Sequence, residues 1–110
     1  MKSTISDSRL YTDEMGVWRD DGSRTKMIIA WDEIHQVTGY LIDGITTCHF
    51  CVDIDWSYGA HCELHAESNG FADVVREIGL KLCEQGDWET RLRTLKRGDQ
   101  PIVFWRRYVH

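Results

Sequence analysis

Cysteine and histidine residues follow one another with the spacing of a small zinc site. Cys48-x2-Cys51 is followed, after ten residues, by Cys62-x2-His65. Thiolate and imidazole donors in such pairs are typical of structural zinc. In an extended strand, however, residues three positions apart point to opposite faces, so each pair converges only where its strand turns. Because both segments are expected to be extended, we interpret Cys48 and Cys62 as small core residues and expect no metal or cofactor.

A second group of reactive side chains is compatible with extended strands, because all of its members fall on the polar face of one hairpin. They are Cys51, Asp53, Asp55, His61, Glu63 and His65. Imidazoles beside carboxylates can bind a transition metal, and the metal candidates here are Cys51, His61 and His65. A polar sheet face with cross-strand charge pairs is the commoner explanation. The sequence therefore does not favour a metal on this face.

Cys51 and His65, directly opposite in the predicted ladder, could also act as a thiol and its base. Catalysis would further need an orienting group, oxyanion donors and a pocket, and none can be named. No nucleophile elbow, phosphate loop or zinc-protease helix occurs in the 110 residues. We expect a non-enzymatic protein without catalytic residues, and a metal-binding or thiol enzyme centred on this hairpin is the alternative.

A β-hairpin must position these side chains. Apolar and polar residues alternate from Thr46 to Trp56, which is typical of a strand with one face in the core. The return strand keeps apolar opposite apolar in a register that pairs Ile54 with Cys62, Val52 with Leu64 and Phe50 with Ala66. This register predicts a three-residue loop, Ser57-Tyr58-Gly59, with Gly59 in a left-handed conformation.

Aromatic residues at the mouth of this hairpin are candidates for a binding surface. Amphipathic rings are favoured at interfaces, and Trp56 and Tyr58 lie beside the acidic positions of the strands. We therefore expect partner binding by five residues, Asp53, Asp55, Trp56, Tyr58 and Glu63.

The segments before the hairpin read as further strands. Arg9–Thr12, Gly16–Arg19 and Thr25–Ala30 are short strand-like runs, and Asp21-Gly22 supplies the turn between the last two. A longer run, Gln36–Ile42, is rich in β-forming residues and closes at Asp43-Gly44. Residues 1–8 are expected to be disordered.

The segment after the hairpin reads as an amphipathic helix at about 69–85. Its apolar residues recur at helical spacing: Phe71, Val74, Val75, Ile78 and Leu82. Ser68 or Asn69 can cap the first turn, and Gly86 is expected to end the helix. Residues 86–100 form a variable connection, in which Trp88–Leu95 is a short helix or a strand. Pro101–Trp105 reads as a last strand.

Composition and charge limit the classes of partner. The net charge is −5, but residues from Trp88 onward contain six basic and two acidic residues, so the tail is +4 and the rest −9. An acidic body argues against nucleic-acid binding, whose affinity comes mostly from neutralised phosphates. No apolar stretch approaches the roughly 20 residues that span a bilayer, and no secretory signal opens the sequence. We expect one cytoplasmic domain over residues 1–110 with reduced cysteines.

Four short motifs occur in an order that resembles one family of small proteins. They are Asp21-Gly22, Trp31-Asp32-Glu33-Ile34, Asn69-Gly70-Phe71 at the start of the helix, and Ile102-Val103-Phe104-Trp105-Arg106-Arg107. Over about residues 10–107 the chain resembles largely uncharacterised, single-domain bacterial proteins with a pleckstrin-homology-like (PH-like) fold. The resemblance implies a mainly β fold, a bent antiparallel sandwich or open barrel of about seven strands, with one C-terminal α-helix as its cap. It carries no catalytic motif.

Within the broader superfold, membrane-binding members hold phosphoinositides with basic residues of the first hairpin. This chain offers Arg19, Arg24 and Lys26 there, but Asp20 and Asp21 lie between them. Carboxylates weaken a phosphate site, so we expect no membrane partner.

The sequence therefore predicts a binding module that engages a protein partner through an open sheet edge or the groove beside the helix. Its specific form is an acidic immunity-type or adaptor protein, which masks a basic partner through Asp53, Asp55 and Glu63. An oligomeric structural protein, assembled through its sheet edges, is a further alternative.

Overall fold

Two antiparallel sheets and two α-helices make up the part of the chain that the computed structural model describes, residues 8–43, 48–56 and 59–107. The strands are β1 Arg9–Thr12, β2 Gly16–Asp20, β3 Thr25–Ala30, β4 Ile34–Asp43, β5 Cys48–Trp56, β6 His61–His65 and β7 Ile102–Arg106. The helices are α1 Phe71–Cys83 and α2 Trp88–Leu92, and Trp31–Glu33 forms a 3-10 turn. The sheet orders are β1-β2-β3 and β6-β5-β4-β7. The protein is mainly β, as the sequence predicts.

The first predicted turn forms where the Asp-Gly signal places it. β2 and β3 pair up to Asp20 opposite Thr25, and Gly22 has a φ of 92°. The carboxylate of Asp21 accepts hydrogen bonds from the backbone amides of Ser23 and Arg24, at 3.1 and 3.0 Å. This side-chain bonding satisfies amides that the tight turn leaves without a ladder partner. The second predicted turn, at Gly44, lies outside the described residues, and so do residues 1–7 of the segment expected to be disordered.

The predicted register of the central hairpin is confirmed. Ile54 lies opposite Cys62 and Val52 opposite Leu64. The amide of Ala66 donates to the carbonyl of Phe50 at 2.9 Å, which continues the same register. Gly59 has the expected positive φ, 94°, whereas Ser57 and Tyr58 lie outside the described residues.

The core lies between the inward faces of the sheets and the apolar side of α1. Strand and helix residues that are 0–2% exposed fill it: Leu10, Val17, Ile29, Ile34, Val37, Val52, Ile54, Leu64, Phe71, Val74, Val75 and Ile78. Trp88 of α2 is fully buried and stacks on Phe104 of β7, with ring centroids 5.2 Å apart. The spacing of apolar residues in α1 therefore correctly predicts one buried stripe along the helix.

The predicted side-chain cap of α1 is wrong. Neither Ser68 nor Asn69 occupies the N-cap position, which belongs to Gly70 with a φ of 85° and no side-chain hydrogen bond. The backbone of β1 explains the difference, because the Leu10 carbonyl oxygen lies 2.1 Å from where a Cβ on Gly70 would stand. The Leu10 amide also donates to the Asn69 carbonyl at 2.8 Å. Packing of β1 against this turn therefore decides the helix start.

The expectation of one helix that closes the fold is not confirmed. α1 ends with Glu84 as its C-cap in a left-handed conformation, φ 61°, two residues before the predicted Gly86. The short helix α2 and strand β7 follow, and β7 pairs with β4, with Ile102 opposite Gly39. Among the described residues, no helix has both the length and the apolar composition needed to cross a membrane.

Replacing Gly70 with Ala is expected to lower the free energy of unfolding by about 3 kcal/mol. The left-handed conformation costs a residue with a Cβ about 1–2 kcal/mol, and displacing the Leu10 backbone adds roughly 1–3 kcal/mol. Gly22→Ala is the matched control, because Gly22 also has a positive φ, but no atom lies within 4 Å of where its Cβ would stand. Equilibrium urea denaturation measures both variants, and equal losses of stability would contradict the close approach of Leu10.

Candidate functional site

Three cross-strand rows of polar side chains cover the side of β4, β5 and β6 that faces away from the core. The rows, read across the three strands, are Tyr40–Cys51–His65, Thr38–Asp53–Glu63 and Gln36–Asp55–His61. We call these nine residues the outward face. Their sequence neighbours, such as Val52, Ile54 and Leu64, are fully buried on the other side of the sheet. Strict strand alternation therefore produces one apolar and one polar surface.

Two carboxylates and one imidazole meet at the end of the outward face. His61 Nδ1 lies 2.9 Å from Asp53 Oδ1, and ligand atoms of Asp53, Asp55 and His61 lie within 4.8 Å of one another. Burial raises the pKa of Asp55, and the charge and hydrogen bond of Asp53 raise it further. The hydrogen bond and charge of Asp53 raise the pKa of His61. The cluster therefore concentrates negative charge that His61 offsets when it is protonated.

Glu63 is held between two neighbours on the outward face. The Tyr40 hydroxyl donates to Glu63 Oε2 at 2.5 Å, and His65 Nε2 lies 3.6 Å from Glu63 Oε1. Burial and the hydrogen bond with Glu63 raise the pKa of Tyr40 above its ordinary value. Tyr40 thus stays protonated and keeps donating to the carboxylate, which leaves one oxygen of Glu63 for His65.

Cys51 lies on the outward face but is fully buried, contrary to the expectation that this face meets water throughout. Its Sγ lies 3.2 Å from His65 Nδ1, and the same nitrogen lies 3.3 Å from His49 Nε2. Burial, followed by the charge of Glu63, raises the pKa of Cys51 to about 12. A catalytic thiol needs the opposite shift. The Cys51–His65 contact is therefore not that of an activated nucleophile.

The predicted metal candidates do not form one group. Cys51 and His65 are together, but His61 belongs with Asp53 at the other end of the face. The third member of the Cys51 group is His49, which the sequence reasoning missed. Its position two residues before Cys51 was the available signal, because alternate residues of a strand share a face.

The four residues of the zinc-like spacing do not form one group. Cys48 is exposed, so its expected place in the core is wrong, whereas Cys62 is half-buried opposite Ile54 on the inward face and packs against the core. Within residues 8–43, 48–56 and 59–107, no metal-type cluster contains both of these cysteines. All four cysteines are free thiols. The extended conformation of β5 and β6 keeps Cys48 and Cys62 apart from Cys51 and His65, as the strand geometry predicts.

The predicted binding residues divide between two surfaces. Asp53, Asp55 and Glu63 share the outward face, but Trp56 is half-buried on the other side of the sheet and packs against the core. There it lines a cleft of about 370 Å³. The cleft is also lined by Arg19, Asp21, Arg24, Lys26, Met27, Ile28 and Cys62. The basic residues of the first hairpin therefore lie with Trp56, and Tyr58 lies outside the described residues.

Comparison of the chain with protein-family models, curated proteins and solved structures finds no match. Function is therefore inferred from the residues of the site itself.

Asp53→Asn is expected to bring the pKa of His61 back toward its ordinary value, since Asp53 supplies the main causes of the upward shift. A raised folded-state pKa means that the pair stabilises the fold below the unfolded pKa of histidine and that this contribution disappears as the pH rises through the folded pKa. An NMR titration of the histidine ring protons measures the change. Asp73→Asn on α1 is the control and should leave the His61 titration unchanged. A His61 titration in Asp53→Asn identical to that of the wild type would contradict the pairing.

Thiol-specific alkylation is expected to label Cys48 first and Cys51 only on unfolding. Cys48 is exposed, whereas Cys51 is fully buried with a pKa raised to about 12. Only the thiolate reacts, so burial and the raised pKa both slow the reaction. Mass spectrometry of the peptides at successive times gives the order, and denatured protein gives the reference rates. Labelling of Cys51 as fast as Cys48 in the folded protein would favour the thiol-enzyme alternative.

Proposed function

We propose that the protein is a non-catalytic binding module whose outward face engages a basic protein partner. The observation that carries the proposal is the grouping of Asp53, Asp55 and Glu63 on adjacent rows of two strands. Among the residues that the structure describes, Asp53 and Glu63 pair with histidines, and none of the three carboxylates forms an ion pair with lysine or arginine. Such a patch attracts and orients a partner of opposite charge.

The arginines of the basic tail have other contacts, which supports the proposal. Arg91 lies over the ring of Phe104 and Arg107 over that of Trp105, at 5.2 and 5.0 Å from the ring centroids. Arg97 pairs with Asp43 at 3.0 Å. Arg106 borders the outward face but donates to Gln36, the ladder neighbour of Asp55. The acidic rows thus keep their capacity for cations of a partner.

An acidic immunity-type or adaptor protein is the specific form of this proposal. In that form, lysine or arginine side chains of the partner contact Asp53, Asp55 and Glu63, and the partner's basic site is masked. The aromatic contribution differs from the sequence-based expectation, because Tyr40 accompanies the carboxylates and Trp56 does not. A cytoplasmic location belongs to the same proposal and is supported by the four free cysteines.

A PH-like fold is likewise part of the proposal. Seven described strands in two antiparallel sheets, with α1 next to β1, support it. The place of β7 departs from the expected arrangement, because β7 follows both helices and joins the second sheet beside β4.

An oligomer assembled through sheet edges is a second candidate, and β7 is the observation that favours it. β7 is an edge strand of the four-stranded sheet, and its Val103 is 48% exposed. An edge strand with an exposed apolar residue can pair with another chain. Light scattering of the purified protein tests this, and a monomer at high concentration would count against it.

Neutralising the acidic rows is expected to abolish partner binding. The triple variant Asp53→Asn, Asp55→Asn, Glu63→Gln keeps side-chain shape while it removes three charges, and charge reversal with Lys is the stronger form. Affinity capture from the source cells with wild-type and variant proteins in parallel, followed by mass spectrometry, provides the measurement. We expect a basic protein in the wild-type sample that is absent from the variant sample and released by added salt.

The matched control carries Asp73→Asn and Glu77→Gln on the exposed side of α1, which removes charge without touching the outward face. It should capture the same protein as the wild type. A partner retained equally by the triple variant would contradict the proposed surface.

A further inference from the structure

We propose that His49, Cys51 and His65 form a binding site for a divalent transition metal, with Zn²⁺ as the favoured ion. These residues supply two imidazole nitrogens and one sulfur from two paired strands, and the three donor atoms lie within 4.8 Å of one another. Nitrogen and thiolate donors are those that zinc selects. The three proposed ligands are distinct from the carboxylates of the proposed binding function, and Glu63 lies next to both groups.

Two of the three donor distances already match those around a tetrahedral ion. His65 Nδ1 lies 3.3 Å from His49 Nε2 and 3.2 Å from Cys51 Sγ. Zinc bonds of about 2.0–2.1 Å to nitrogen and 2.3 Å to sulfur place two nitrogens about 3.3 Å apart and a nitrogen and sulfur about 3.5 Å apart. Only small side-chain movements are therefore needed to admit the ion.

Two neighbours compete for one ring nitrogen of His65. His65 Nδ1 faces both Cys51 Sγ and His49 Nε2. A ring nitrogen carries either one proton or one lone pair, so it forms one good in-plane hydrogen bond and cannot bond well to both neighbours at once. A cation removes the conflict, because all three atoms then direct a lone pair at it. The thiol proton is released to solvent as Cys51 binds in its thiolate form.

A carboxylate faces the second ring nitrogen of His65. When Nδ1 binds the ion, Nε2 carries the proton and faces Glu63 Oε1 at 3.6 Å. Glu63 is itself fixed by the hydrogen bond from Tyr40 at 2.5 Å. A carboxylate behind a ligating imidazole sets its tautomer and orientation and raises its basicity. Tyr40 and Glu63 are therefore positioning residues for the site.

A route and a further coordination position are available on the solvent side. His49 and His65 line a cleft of about 440 Å³ together with Ser8, Arg19, Glu67 and Ser68. Three protein ligands leave a fourth position of the tetrahedron for water or for a carboxylate such as Glu67. The opposite side is closed, since Cys51 is fully buried.

Titration of the untagged, full-length protein with Zn²⁺ in competition with a chromophoric chelator tests the site. We expect a single equivalent to bind, and His49→Gln to weaken binding by more than about 100-fold, because even a supporting residue such as Glu63 contributes roughly 10–100-fold. Co²⁺ should give a thiolate-to-metal charge-transfer band that disappears in Cys51→Ser. His61→Gln and Cys62→Ser are matched controls on the same hairpin and should bind as the wild type does.

NMR of the wild type keeps the test independent of the folding of the variants. Added Zn²⁺ should shift the ring signals of His49 and His65 and leave those of His61 unchanged. Equal affinity in the wild type and His49→Gln, a charge-transfer band that survives Cys51→Ser, or a ring shift confined to His61 would overturn the proposal. Partner capture by the triple carboxylate variant tests the proposed function, whereas metal binding by His49→Gln tests the metal site alone. Failure of one proposal can therefore be told apart from failure of the other.

Discussion

The register of β5 against β4 and β6 is the constraint on which the rest of the structure depends. Because side chains alternate between the two faces of a sheet, a slip of one residue would move every reactive group of these strands to the core side. The fully buried residues Val52, Ile54 and Leu64 hold the register from the inside. Hydrophobic burial on one face thereby places Cys51 opposite His65 and Asp53 opposite Glu63 on the other.

The parts of the fold that could be predicted are those set by local pattern. Alternation in β5 and β6, the turn glycines Gly22 and Gly59, and the apolar stripe of α1 each act over a few residues, and each predicts its element correctly. The start of α1 could not be predicted in this way, because the backbone of Leu10 leaves room only for Gly70 at the cap. The pairing of β7 with β4 joins residues more than sixty positions apart, and local periodicity contains no information on such contacts.

The candidate site likewise has parts that local pattern predicts and parts that depend on contacts between strands. That Asp53, Asp55 and Glu63 share a face follows from alternation alone. The burial of Cys51 and the grouping of Cys51 with His49 depend on side chains of neighbouring strands, which the spacing of cysteines in the sequence does not report. Trp56 illustrates the same limit, since an aromatic residue beside a hairpin loop can turn toward either surface, and here it packs against the core.

Glu63 links the two halves of the outward face. One of its oxygens accepts from Tyr40 and the other faces His65, while its row neighbour is Asp53. A cation bound beside His65 would lower the negative potential near Glu63 and leave Asp53 and Asp55 as the dominant charges. The ladder thus places the proposed metal ligands beside the carboxylates that are proposed to bind a basic partner.

The most direct measurement is an NMR map of the captured complex that follows carboxyl and indole side-chain resonances. The account predicts shifts of the Asp53, Asp55 and Glu63 carboxyl signals and an unchanged Trp56 indole signal. A shift of the Trp56 indole signal, with the three carboxyl signals unchanged, would show that the cleft on the opposite side of the sheet binds the partner and would contradict binding by the outward face.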